Sequence, residues 1–153
     1  GIRESKAIDT EKLCIEPGKK VFVVFVDVYV LNHDGNLIDA SALAAVAALM
    51  NTKMPNYEVK DGELIIKQGY TPLPMKSHPI TVTLGKINNK LIVDAWLEEE
   101  QVIDARLTMA FNNEGNICAV QKGCAGYFTQ QQILEGMKLA QEKAAELRKK
   151  LGW

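Results

Sequence analysis

With 153 residues, 47% of them hydrophobic and 24% charged, the chain has the makings of one domain with a true core and none of the bias of a disordered segment. A formal charge of −1 excludes bulk attraction to nucleic acid, so any RNA contact must come from a local basic patch. The longest apolar run, residues 42–50, is too short for a bilayer, and no membrane partner is expected.

The chain opens on GIRESKAIDTEKL, without an initiator Met or a signal peptide, as expected of a piece of a longer protein. Arg3 and Lys6 stand three apart here. If helical they share a face that could straddle a phosphate backbone; the alternative is ordinary surface charge beside Glu4 and Asp9. Lys20 to Leu31 reads as a strand that is apolar on both alternating faces, hence covered on both sides. Asp27 interrupts one face, as a catalytic carboxylate or a hydrogen-bonded structural one. Three cysteines, Cys14, Cys118 and Cys124, form no C-x-x-C pair and cannot all pair with one another. Buried thiols in a reducing, cytoplasmic setting are expected.

The turn Asp34-Gly35-Asn36 then leads into a predicted helix over Asp39–Met50, apolar all round. Strand, glycine turn and helix are the usual layout for gripping phosphate, because a helix start offers unpaired N–H groups and a positive dipole end. Three features oppose that here. Leu37 and Ile38 bring no donors, Asp39 can fold back on the free amides, and no Arg or Lys occurs from Asp27 to Thr52.

Residues 51–79 are polar, carry Pro55, Pro72, Pro74 and Pro79, and contain a hairpin turning at Asp61-Gly62. They read as a partly ordered excursion within one domain. From Ile80 the pattern is antiparallel: ITVTLGKI and KLIVDAW join at Asn88-Asn89, and DARLTMAF and NICAVQKG join through NNEG. Between these hairpins lies LEEEQVID. Glu98, Glu99, Glu100 and Asp104 could hold Mg²⁺ or supply a general acid, but a solvated loop is the simpler reading. Residues 129–151 form a predicted helix with a capping box at Thr129 and Gln132. Its apolar stripe is Ile133, Met137, Ala140, Ala144, Leu147 and Leu151. His33 and His78 are isolated, so neither a metal site nor a cofactor is expected. The class is α+β, with residues 1–50, 51–79 and 80–153 as its three parts.

Three stretches, RESKAIDTEKL, VDVYVLNHDGNLIDASALAAVAALMNTKMP and LIVDAWLEEEQVIDARLTMAFNNEGNICAVQKG, together resemble the RNase PH family in order and spacing. More narrowly they resemble the larger, non-catalytic RNase PH-like subunit of the archaeal exosome. The resemblance implies the family's sheet-and-helix fold, related to that of a ribosomal-protein domain, with residues 1–153 as its C-terminal portion. Catalytic members carry Asp-Gly-Gly-Thr-Arg at the turn. Here Asn36, Leu37 and Ile38 stand in the Gly-Thr-Arg places, a degenerate phosphate site. Two downstream aspartates of those members fall at Glu100 and Arg106, a degenerate acidic site.

The resemblance thus implies no catalytic residue. It implies alternation with a catalytic RNase PH-like partner in a ring of three heterodimers, RNA threading the pore, and RNA-binding cap proteins. Arg3 and Lys6 are then RNA-facing. The strand over Lys20–Leu31 would be covered by the absent N-terminal part and by neighbours, and the chain alone would expose it. Two rivals remain: a self-sufficient phosphorolytic exoribonuclease, and a stand-alone RNA-binding module.

Overall fold

A computed structural model describes residues 1–153. Residues 1–6 are a tight turn, and a 3₁₀ turn follows at Thr10–Leu13. Two short strands, β1 (Cys14–Glu16) and β2 (Lys20–Val21), pair antiparallel. Only these first two residues of the predicted Lys20–Leu31 strand are β-structure, which corrects that expectation. From Val23 to Leu31 no backbone group pairs with another, because no other segment of this chain runs alongside. Phe25, Tyr29 and Leu31 are accordingly 83%, 85% and 97% exposed. Asp27 is exposed as well, so it is neither a buried structural carboxylate nor a buried catalytic one.

Helix α1 (Leu37–Asn51) starts two residues earlier than its pattern suggests. It buries Ala45, Val46 and Leu49, and its Leu49 joins Leu13 and Leu73 in a small second core. Strands β3 (Lys53–Lys60) and β4 (Glu63–Pro72) form a long hairpin around Asp61-Gly62, both at positive φ, as the sequence predicts. Edge-to-face contact between Phe22 and Tyr57, with ring centroids 5.4 Å apart, is where the unpaired segment meets this hairpin.

The main sheet is antiparallel in the order β6-β5-β7-β8. It is built from β5 (Ile80–Ile87), β6 (Lys90–Val93), β7 (Ala105–Phe111) and β8 (Ile117–Gly123). A four-residue helix, α2 (Leu97–Glu100), joins β6 to β7 where a loop is expected. Helix α3 (Gln130–Leu151) is capped by Thr129 and Gln132 and packs on one sheet face.

Alternation decides what that face presents. Ile80, Val82 and Leu84 of β5 and Leu107, Met109 and Phe111 of β7 meet Ala140 and Ala144 of α3. Each large side chain buried there contributes about 1.5–3 kcal/mol. Small residues at 140 and 144 let the helix approach closely, while the ends of its stripe, Ile133 and Leu151, stay exposed. The intervening residues of β5 and β7, including Thr83 and Thr108, turn the opposite way. Helix α1 lies beside the first half of β5, where β6 no longer pairs. The cysteines depart from expectation: Cys14 and Cys124 are exposed, and only Cys118 is half-buried.

Candidate functional site

The turn before α1 and the acidic segment before β7, far apart in sequence, meet in space. Gly35 has φ +93 and lies so close to Ala95–Leu97 that a Cβ would sit 2.3 Å from the Ala95 carbonyl oxygen. Only glycine fits, both for its dihedral and for this close approach. Asn36 follows at φ 47, a left-handed conformation that Asn tolerates. Its side chain does not cap the helix. Instead its Nδ2 donates to Asp94 Oδ1 at 2.7 Å and to Asp39 Oδ2 at 3.2 Å.

Asp39 does not fold back on the helix amides, contrary to expectation. It reaches the open edge of β5, accepting from the Thr83 N–H at 2.7 Å and from Thr83 Oγ1 at 2.7 Å. Thr83 Oγ1 is in turn 3.0 Å from Thr108 Oγ1. With the Thr83 hydroxyl given to the carboxylate, Thr108 is the donor in that pair. Beyond β6 the Thr83 amide has no strand to receive it, so Asp39 stands in for one. Burial raises the Asp39 pKa above 3.8, against the opposing pull of its bonds to Thr83 and Asn36.

Negative charge at the helix start comes from Glu100. Its Oε1 accepts from the Asn36 N–H at 3.0 Å. An acceptor already sits on the first amide that an incoming anion would use. Glu98 is exposed without a partner, and Glu99 caps α2, its Oε2 accepting from the Trp96 N–H at 2.9 Å. Asp104 faces elsewhere, accepting from the Asn88 N–H at 2.7 Å. Arg106 stands on β7 between Gly85 and Gly123, its guanidinium lying over Gly123 and forming no ion pair. So Asn36 and Glu100 are brought into contact, with Leu37 and Ile38 alongside, and Arg106 makes no bond to them. No cluster of three or more His, Cys, Asp or Glu side chains is placed to hold a metal ion.

Arg3 and Lys6 lie on a turn, not a helix; Lys6 has φ 51, and its N–H donates to the Arg3 carbonyl at 3.0 Å. Both are exposed, neither forms an ion pair, and with Lys76 they line a groove of about 930 Å³ beside the exposed Val21, Val23 and Val26.

Sequence reading missed Thr83, Thr108, Asp94 and Lys76, and took the buried Asp9 for surface charge. A signal existed for the threonines, since Thr81-Val82-Thr83 alternates polar and apolar in a strand whose apolar face is already spoken for. Nothing local marks Asp94 or Lys76.

Residues 2–55 match the 3′ exoribonuclease family, domain 1, and residues 77–143 match domain 2 of the same family. The chain belongs to the RNase PH family. Among its relatives, the exosome complex component Rrp42 of Thermococcus kodakarensis is 49% identical over 153 residues, 99% of this chain and 56% of the relative. The structure of an Archaeoglobus fulgidus exosome with RNA bound to the active site contains a chain that superposes with a TM-score of 0.87 at 42% identity. The match covers 98% of this chain and 57% of that one. An archaeal exosome core gives 0.88 at 41%, covering 99% and 59%. The chain thus spans a little over half the length of the curated relatives it matches, and its fold is the RNase PH-like α+β fold. No helix is long and apolar enough to cross a membrane.

Proposed function

We propose that this RNase PH family chain serves as a non-catalytic, structural and RNA-guiding subunit of an archaeal exosome ring in the cytoplasm. In this reading a catalytic RNase PH-like partner alternates with it in three heterodimers. RNA enters past RNA-binding cap proteins, and the partner performs 3′–5′ phosphorolysis. The similarity to Rrp42 and to exosome-core chains supports this assembly.

The observation that carries the non-catalytic half is the Glu100 carboxylate on the Asn36 amide. Phosphorolysis needs an inorganic phosphate held beside the RNA 3′ end, and a helix start is a natural seat for one. Here that seat has a carboxylate on its first amide, Leu37 and Ile38 supply no ligands, and Arg106 stands where the family resemblance implies a catalytic aspartate. An anion would meet like charge.

Arg3 and Lys6 carry the RNA-guiding half. They are cations without carboxylate partners, on a surface turn, and contact with phosphates there is indifferent to sequence. Replacing both by Ala in the exosome assembly should lower the salt dependence of oligoadenylate retention by about 1.4 log units per log unit of salt, at ~0.7 for each lost contact with a single strand. An unchanged slope with intact assembly would remove both residues from the RNA path.

A further inference from the structure

We infer that Asp9 and Lys76 form a clasp that aims Arg3 and Lys6 at RNA, acting as positioning residues and not as phosphate contacts. This rests on the proposed RNA-facing role of Arg3 and Lys6.

The turn that carries those two cations is anchored at its ends, with Ile2 against the second core and Ala7 fully buried, while Arg3 and Lys6 themselves stay exposed. It closes on its own backbone through the Ser5 N–H to the Gly1 carbonyl at 2.9 Å and the Ala7 N–H to the Ile2 carbonyl at 3.1 Å. Lys6 sits in the left-handed region at φ 51, a conformation that disfavours a non-glycine residue. Immediately afterwards the chain runs antiparallel to residues 74–77. The Asp9 N–H donates to the Pro74 carbonyl at 2.8 Å, and the Lys76 N–H to the Ala7 carbonyl at 2.7 Å. Ile8 opposite Met75 is the only bridge, and so short a pairing is marginal by itself.

Lys76 Nζ closes it from above, 2.9 Å from Asp9 Oδ1, while Lys12 Nζ stands 3.7 Å from Oδ2. The Asp9 side chain is only 10% exposed, so solvent weakens this ion pair less than one between two exposed side chains. The Lys76 ammonium beside it also holds the Asp9 carboxyl below its ordinary pKa. Lys76 lines the same groove as Arg3 and Lys6, but its charge is engaged where theirs is free.

The sign of one substitution separates this clasp from simple electrostatics. Asp9→Ala removes a negative charge beside the RNA path and frees Lys76. If only charge matters, RNA binds tighter. Loss of the clasp makes it bind weaker, by about three- to tenfold, with the salt slope intact because both contacting cations remain. The readout is retention of a fluorescein-labelled oligoadenylate by the exosome assembly containing this chain, across salt, with assembly mass and melting checked for each variant. Lys76→Met should weaken retention like Asp9→Ala, and Lys76→Arg should restore it.

Unchanged or tighter binding by Asp9→Ala overturns the clasp. So does a slope lowered by about 0.7 in Lys76→Met, which would make Lys76 a phosphate contact. If Asp9→Ala does not assemble, the Met and Arg variants at position 76 decide: equal affinity overturns the clasp, loss with Met and recovery with Arg supports it. Arg3→Ala and Lys6→Ala with unaltered slopes would instead sink the RNA-facing role itself, so the two failures are distinguishable.

Discussion

Two aspartates show how context sets the work of one residue type. Asp9 is held ionised by a lysine, whereas Asp39 is held by neutral donors in a drier place. Their pH signatures are opposite. The Asp9 pKa is lowered on folding, so its contribution is present above 3.8 and is lost as pH falls through the folded value. For Asp39 the folded pKa is raised, so the folded state binds the proton more tightly. Its contribution is full below 3.8 and declines as pH climbs through the raised value. Carboxyl-detected NMR titration should find Asp39 above 3.8 and Asp9 below it. Asp39→Ala should destabilise the fold by about 1–3 kcal/mol at neutral pH, because the Thr83 amide and hydroxyl lose their acceptor. Denaturant unfolding reads that difference. Of this network only Asp39 was legible as special, and its partner was mistaken. The sequence places Asp39 three residues past Gly35, where helix amides are nearest. The chain instead spends it on a sheet edge that exists only because β6 is shorter than β5.

At the scale of elements, hairpins and caps were readable because their chemistry is local. Asp61-Gly62 sets its own dihedrals, Thr129 and Gln132 satisfy each other's amides, and the alternation in ITVTLGKI has one burial-compatible register. Residues 22–31 were not readable, because a strand is a relation between two segments and the second is not in this chain. β-branched composition announces a readiness to pair and cannot supply the partner. Hydrogen exchange on this chain should therefore find the amides of residues 23–31 unprotected while those of β5 and β7 exchange slowly. Protection of 23–31 equal to that of β5 would mean the segment finds a neighbour, in this chain or in a second copy. The acidic segment taught a similar lesson. Of Glu98-Glu99-Glu100 only Glu98 is plainly solvated: Glu99 caps α2, and α2 turns Glu100 inward to a role at the α1 turn.

For the molecule as a whole, the account joins two halves of one surface argument: a helix start whose first amide already carries the Glu100 carboxylate, and two cations without ion-pair partners on the first turn. The family's fold was recoverable from three motifs in order, and the comparisons with archaeal Rrp42 and exosome-core chains bear that out. Contact between the Asn36 turn and Glu100 was not recoverable as a hydrogen bond. The family resemblance sets both positions apart without saying that one side chain reaches the other's amide. Purified polypeptide alone, given oligoadenylate and inorganic phosphate, tests the central claim most directly. The account predicts no release of adenosine diphosphate by this chain, with release appearing when the catalytic RNase PH-like partner is added. Phosphate-dependent shortening of the RNA by this chain on its own would contradict it.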